Sequence, residues 1–238
     1  MSLHVSGARF SIGNDSDSFQ VEIPDIHIEQ GKMAALVGPS GAGKTTVLEL
    51  LSLMRQPQSV DMLMIAGLDV REMSLMGGLN IRAQFRARYV TYIVQSGGML
   101  PYLSAFDNAL AGIHASGNAV GNTTLEHLEA SAKSLGILNV LHKKRAELSG
   151  GERRRVGLLR AMTAPKELVL VDEPTSALDA ENSDKAISAL VSLSRGGGST
   201  VVIATHEYER VRDAGFQIFK LKLNEGGRFR VLTPADNM

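Results

Sequence analysis

Three short stretches hold most of the residues that could do chemistry. Gly38-Pro39-Ser40-Gly41-Ala42-Gly43-Lys44-Thr45 fits the spacing G-x-x-x-x-G-K-[ST], with Thr46 beside it. Glycines at those positions let the backbone curl so that successive N–H groups converge on phosphate oxygens. A following helix adds its positive N-terminal end. Lys44 supplies a point charge for the β- and γ-phosphates, and Thr45 supplies a hydroxyl for Mg²⁺. The second stretch, LVLVDEPTSALD, spans residues 168–179. An apolar strand there delivers Asp172 to the nucleotide edge, where a carboxylate can hold the hydration shell of Mg²⁺. Glu173 stands one residue further, placed to orient and polarise an attacking water. The third stretch is Leu148-Ser149-Gly150-Gly151-Glu152. Ser149-x-x-Glu152 has the pattern of a reciprocal helix cap. The same helix start can also bind a phosphate, and the residues alone leave both readings open.

These groups need elements to position them. MAALV at 33–37 runs into the Gly-rich loop, and Lys44 to Met54 carries Val47, Leu48 and Leu51 at helical spacing. Strand, loop and helix in that order open a nucleotide-binding α/β unit. LVLV at 168–171 and TVVIA at 200–204 are candidates for buried strands. Between them, residues 180–194 place Ala186, Ile187, Leu190 and Val191 on one helix face. Residues 1–32 alternate apolar and polar, as antiparallel strands with one wet face do, with a turn at Asn14-Asp15-Ser16-Asp17-Ser18. Thr123-x-x-Glu126 reads as a capping box that starts a helix carrying Leu125, Leu128 and Ala132. FQIFKLKL and RFRVL read as a hairpin closed by Asn224-Glu225-Gly226-Gly227. Repeats and low-complexity segments are lacking, and Gly196-Gly197-Gly198 is a short loop.

Composition narrows the function classes. Of 238 residues, 44% are hydrophobic and 21% charged, which is globular and not disordered. Twenty-five basic residues balance 25 acidic ones, which argues against a protein that wraps nucleic acid. The absence of cysteine excludes disulfides, thiolate metal sites and a cysteine nucleophile. No run approaches the roughly 18–20 apolar residues that span a bilayer, and MSLHVSGARF lacks the pattern of a secretory signal. The chain is expected to be soluble, with any membrane role supplied by a partner.

Together these stretches resemble an ABC-type ATPase, the nucleotide-binding subunit of ABC transporters, over nearly the whole chain. LSGGE stands ahead of VDEPTSALD at that family's spacing, and a P-loop kinase or GTPase would explain neither LSGGE nor the ATHE around His206. The resemblance implies an α/β P-loop NTPase core of RecA-like type, with an N-terminal antiparallel β subdomain and an inserted α-helical subdomain. It implies one ABC ATPase domain over 1–238, with the core and β subdomain at about 1–95 and 156–238 and the helical subdomain at about 96–155. ATP and Mg²⁺ are the implied ligands. Glu173, His206 and Gln95 are the implied catalytic set, and Thr45, Gln95 and Asp172 the metal set. Gln95, after YVTYIV, resembles the Q-loop glutamine, and His206 the switch histidine that bonds the γ-phosphate. Asp179 resembles the D-loop aspartate at a dimer seam. Phe10 resembles the aromatic that stacks on adenine, although Phe10 or Phe19 can also be read as a core strand residue. Ser149, Gly150 and Gly151 would contact the γ-phosphate held by a second chain in a head-to-tail pair.

The departures from the family pattern are Thr45 for the commoner Ser, Glu207 after His206, and Glu152-Arg153-Arg154-Arg155 in place of a Gln-rich run. Residues 142–160 hold seven Lys/Arg against two Asp/Glu, read as a solvated helix face near a polyanionic ligand, with a nucleic-acid patch as the alternative. Residues 86–113, with Leu100-Pro101-Tyr102-Leu103-Ser104-Ala105, are most similar to the lipoprotein-release and macrolide-export branch. Gly97, Gly98, Met99 and Tyr102 are then expected on the floor of a groove for a membrane subunit. The implied partners are a second copy or a paralogous ATPase subunit, and an integral membrane permease. The implied place is the cytoplasmic face of the inner membrane, held through that permease. Two other family roles share these motifs: an ATPase serving a soluble assembly scaffold, and a nucleic-acid-associated ATPase. The second usually carries a long coiled coil or paired ATPase units, which this sequence lacks.

Overall fold

Apolar strands without alternation need cover on both faces, and the computed structural model provides it. It describes residues 3–12, 19–115, 117–176, 178–223 and 229–234. The strands are β1 (Leu3–Ile12), β2 (Phe19–Ile28), β3 (Met33–Val37), β4 (Met62–Ile65), β5 (Leu68–Asp69), β6 (Val90–Ile93), β7 (Leu168–Asp172), β8 (Thr200–Thr205), β9 (Gln217–Leu223) and β10 (Phe229–Pro234). The helices are α1 (Lys44–Leu51), α2 (Arg71–Met76), α3 (Leu79–Tyr89), α4 (Ala105–Ala115), α5 (Asn122–Ser134), α6 (Gly150–Thr163), α7 (Ala180–Arg195) and α8 (Tyr208–Asp213).

The strands form one ten-stranded sheet in the order β5-β4-β1-β2-β10-β9-β3-β8-β7-β6. From β9 to β6 every pairing is parallel. At the other end β1 runs antiparallel to β2 and to β4. The two regions are joined because β10 pairs antiparallel with β9 and parallel with β2, setting Phe229–Val231 against Gln20–Glu22. The expected β subdomain is therefore a wing of the core sheet, and the hairpin is its bridge. Both expected turns, at 14–18 and 224–227, lie outside the described residues.

The central strands sort their side chains by parity. Ala35, Val37, Val169, Val171, Val201 and Ile203 face one apolar layer, shared with α6 and α7 through Val156, Leu159, Ile187 and Leu190. Ala34, Leu36, Leu168, Leu170, Val202 and Ala204 face the other, shared with α1 through Val47, Leu48, Leu50 and Leu51 and with the β wing. Each strand end is thereby held from both sides, so loops leaving β3, β7 and β8 start from fixed points.

Several expected helix limits shift. α1 stops at Leu51 instead of reaching Met54, because Leu53 takes a left-handed φ of 56°. Its N–H bonds Leu50 O and that of Met54 bonds Glu49 O, each at 2.9 Å, which satisfies the last carbonyls. The Thr123 capping box is not made, since α5 already starts at Asn122 with Gly121 as an N-cap lacking any side-chain bond. α2 and α3 fill a segment with little apolar periodicity; α3 buries only Arg82 and Phe85. α6 runs unbroken across the expected boundary at 155/156, so one rod serves both the helical part and the core. Fully buried Asn108, in the first turn of α4, reaches back to the loop before the helix, donating to the carbonyls of Leu100, Leu103 and Ser104 and accepting the Leu100 N–H at 2.7 Å.

Candidate active site

At the carboxyl ends of β3 and β7 the chain encloses a cleft of about 450 Å³, lined by Phe19, Ser40 to Thr46, Gln95, Asp172 and Glu173. The loop after β3 turns tightly because Gly41 and Gly43 adopt φ of 72° and 101°, angles open to glycine. Ala42 is buried and anchors the loop in the core, leaving its backbone to face the cleft. Lys44, only 6% exposed, donates to Gly38 O at 2.7 Å and Pro39 O at 3.1 Å. The loop that would cradle phosphate is thus closed on its own lysine. α1 begins at this lysine, aiming its N-terminal dipole into the cleft.

Opposite stands the carboxylate pair. Asp172 ends buried β7 and accepts the Thr45 hydroxyl at 2.8 Å. Burial pushes the Asp172 carboxyl above its ordinary range; Glu173 adds to the rise, while the Thr45 bond and Lys44 oppose it. Burial, then Asp172 and Glu49, also raise the Tyr92 phenol. Glu173 has a φ of 49°, and its N–H is tied to Ala204 O at 2.8 Å. A non-glycine residue in that region stores about 1–3 kcal/mol of strain, a pattern that gathers at functional sites. Its carboxylate lies 3.8 Å from the Lys44 ammonium and 3.0 Å from His206 Nδ1. Two carboxylates and a hydroxyl within one half-buried cleft suit a hard dication, which prefers oxygen donors. Thr45 and Asp172, already 2.8 Å apart, fit as its protein ligands.

The structure thus gathers Ser40 to Thr46, Gln95, Asp172 and Glu173 in one cleft, with the carbonyls of Gly38 and Pro39 in the loop and His206 linked through Glu173. It places others elsewhere. Phe10 is 1% exposed and packed in the core, so no face is free to stack on a base. Phe19, at the start of β2, lines the cleft instead. Ser149, Gly150 and Gly151 begin α6 away from the cleft lining, and the reciprocal cap read from the sequence is made. Ser149 Oγ accepts the Glu152 N–H at 3.2 Å, and Glu152 accepts the Ser149 N–H at 2.7 Å. That backbone bond holds the Glu152 carboxyl below its usual range. Asp179 caps α7 through the Asn182 N–H at 2.8 Å, which lowers its carboxyl likewise. Met99 is buried in the core and cannot floor an open groove, whereas Leu100 and Tyr102 beside it are exposed. The arginine run is not a solvated face: Arg155 is buried, and Arg154 bonds two loops. Nothing in the sequence marked Arg154 for its position beyond its nearness to Ser149–Glu152, and Phe19 is named beside Phe10 only as a candidate core strand residue.

A family profile described as ABC transporter matches residues 21–176. The lipoprotein-releasing system ATP-binding protein LolD of Ruegeria pomeroyi is 37% identical over 185 residues, covering 78% of each chain. The macrolide export ATP-binding/permease protein MacB of Rhodopirellula baltica is 33% identical over 190 residues, which is 79% of this chain and 27% of that one. Among solved structures, a dimeric ATP-binding cassette in a post-hydrolysis state with ADP and Pi shares the fold. Its TM-score is 0.81 at 22% identity, over 92% of this chain and 94% of that one. The profile match takes in the phosphate loop, Gln95, the Ser149 helix start and the carboxylate pair alike, and on it the chain belongs to the ABC transporter family as an ATP-binding ATPase cassette.

Proposed function

We propose that the cassette works as an ATP-sandwiched pair that drives a separate membrane permease, of the lipoprotein-release or macrolide-export kind. The phosphates of ATP seat on the backbone N–H groups of residues 40–46, displacing Lys44 from the carbonyls of Gly38 and Pro39 onto the β- and γ-oxygens. Mg²⁺, held by Thr45 and Asp172 with Gln95 nearby, would neutralise charge on the phosphate oxygens. Phe19 offers its ring to the adenine. Glu173 orients the attacking water and takes its proton, with His206 at 3.0 Å fixing the carboxylate. The exposed start of α6 lies outside the chain's own cleft lining, so Ser149, Gly150 and Gly151 are free to close the cleft of a second copy; a dimeric cassette among the solved relatives supports that reading.

Among the described residues no helix is long and apolar enough to cross a membrane; in this reading the permease supplies the bilayer part. Exposed Leu100 and Tyr102 offer it an apolar contact. A permease would hold the cassette at the cytoplasmic face of the membrane. The observation that carries the proposal is the linked set Lys44–Glu173–His206 at the mouth of the phosphate loop.

Glu173→Gln tests it. The variant should bind ATP, lose about a hundredfold or more in turnover, and run as a dimer on sizing only with ATP present. Wild-type turnover would remove Glu173 from the chemistry, and a variant that stays monomeric with ATP would remove the pair. A polytopic membrane protein should co-purify from gently solubilised membranes in stoichiometric amount. Recovery of soluble proteins alone would move the cassette to an assembly scaffold.

A further inference from the structure

Arg154 sits in the second turn of α6, and its guanidinium spans two loops. Nε donates to the Gln95 carbonyl at 2.7 Å, and Nη1 donates to the Ser176 carbonyl. The first loop carries Gln95 into the cleft. The second begins at Glu173, whose carbonyl accepts the Ser176 N–H at 3.3 Å. Around Arg154 the first loop lies flat on the helix. A Cβ added to Gly97 would meet Arg153 O at 2.3 Å, and Arg160 donates to Gly98 O at 2.9 Å.

We propose that Arg154 is a positioning residue for hydrolysis: through two backbone carbonyls it fixes the loops that carry Gln95 and Glu173, and ties both to the helix that begins at Ser149. This rests on the ATPase reading above and deepens it. Among the described residues this guanidinium hydrogen-bonds the Gln95 and Ser176 carbonyls and no group of the phosphate loop or α1, so seating of the nucleotide is left alone. What depends on Arg154 is the relative placement of the two groups that must meet one water. Displacements of about 1 Å there can cost about a hundredfold in rate. Because α6 also presents Ser149, Gly150 and Gly151 outward, a push on that helix start by a second chain reaches both hydrolytic loops through one side chain. A lysine offers a single ammonium in place of a planar fork and satisfies the two carbonyls less well.

The test uses the full chain with Arg154→Ala and Arg154→Lys. Affinity is read with a non-hydrolysable ATP analogue, turnover as kcat and KM, and folding as Tm. Arg154→Ala should hold affinity within about twofold while kcat falls about ten- to a hundredfold, and Arg154→Lys should recover part of that loss. In a Gln95→Ala background, Arg154→Ala should cost at least about threefold less than in the parent, because the two act as one unit. Unchanged kcat per folded molecule, with or without a lower Tm, overturns the proposal. So do losses from Arg154→Ala and Gln95→Ala that multiply in full. Lys44→Ala separates the failures. Parent-level turnover there overturns the ATPase reading and this one with it. Lost turnover there, beside an unaffected Arg154→Ala, overturns this one alone.

Discussion

Gly97→Ala should damage the molecule by two routes that Gly215→Ala separates. Gly97 has φ +82°, and Gly215 has φ +84°. An alanine in the left-handed region costs about 1–2 kcal/mol at either site. At Gly215 a Cβ meets nothing within 4 Å, whereas at Gly97 it meets the Arg153 carbonyl oxygen at 2.3 Å and its carbon at 2.6 Å. Those are backbone atoms of a helix packed on two sides, so they cannot swing away as a side-chain tip would. Overpacking of that kind adds about 1–3 kcal/mol. Gly215→Ala should therefore lose about 1–2 kcal/mol and Gly97→Ala about 2–5 kcal/mol. At about 2–4 °C per kcal/mol for a chain of this size, the difference is about 2–12 °C in Tm. Thermal and urea unfolding without nucleotide would measure it, with an unchanged m-value to certify the same unfolding. Equal losses in the two variants would refute the claim that the Gln95 loop lies against the α6 backbone.

Two further substitutions probe the cleft. Phe19→Ala should weaken ATP binding by about fivefold or more through lost stacking, read by titration. Phe10→Ala should leave affinity per folded molecule unchanged and cost about 3–5 kcal/mol of stability, and the reverse assignment would restore Phe10 as the adenine contact. For Asp172 the direction of the shift sets the sign. Its carboxyl is raised in the fold, so the folded state binds the proton more tightly, and the group's contribution is lost as pH rises from the ordinary carboxylate range through the folded value. Asp172→Asn, without metal or nucleotide, should raise Tm over the parent at pH 7 and lose that advantage below about pH 4. A variant less stable than the parent at pH 7 would contradict a carboxylate whose charge is disfavoured by burial.

The elements with doubled apolar faces were legible before any coordinates, because burial on both sides leaves an unbroken apolar run. MAALV, LVLV and TVVIA all became central strands. The candidate site residues could be picked out because phosphate chemistry needs particular side chains at particular spacings, and Ser40 to Thr46, Gln95, Asp172 and Glu173 do share one cleft. The misses share a cause: they depend on where a backbone goes in three dimensions. Phe10 and Phe19 sit on neighbouring strands, and only the pairing Phe10↔Val21, with Phe19 at the strand's free end opposite Ile12, decides which ring is buried. The Thr123 cap failed because the helix starts two residues earlier than that cap requires, with Gly121 at the N-cap and Asn122 as its first residue. Arg154 looked like one more solvated charge, since nothing local says that two loops from distant strands present their carbonyls to it. Asn108 lies within residues 86–113, the stretch similar to one branch of the family, yet its role is internal: it knots the Leu100–Ser104 loop that pushes Leu100 and Tyr102 outward.

The place of β3 has a bearing on synthesis. The strand that launches the phosphate loop is flanked by β8 and β9, so Ala34 pairs with Val202 on one side and Gln217 on the other. A nascent chain that has emerged as far as α7 already contains every residue of the loop, yet neither neighbour of the strand beneath it. The β1–β2–β4 wing can close early on local pairings, while the nucleotide cradle waits for β8 and β9 to leave the ribosome. Non-local closure of that kind is slow, and until it happens the apolar edges of β3 stay open to wrong partners. Competence to bind nucleotide thereby follows the emergence of β8 and β9, and a ligand that favours the closed cradle would also favour chains that include both over chains that stop short of them.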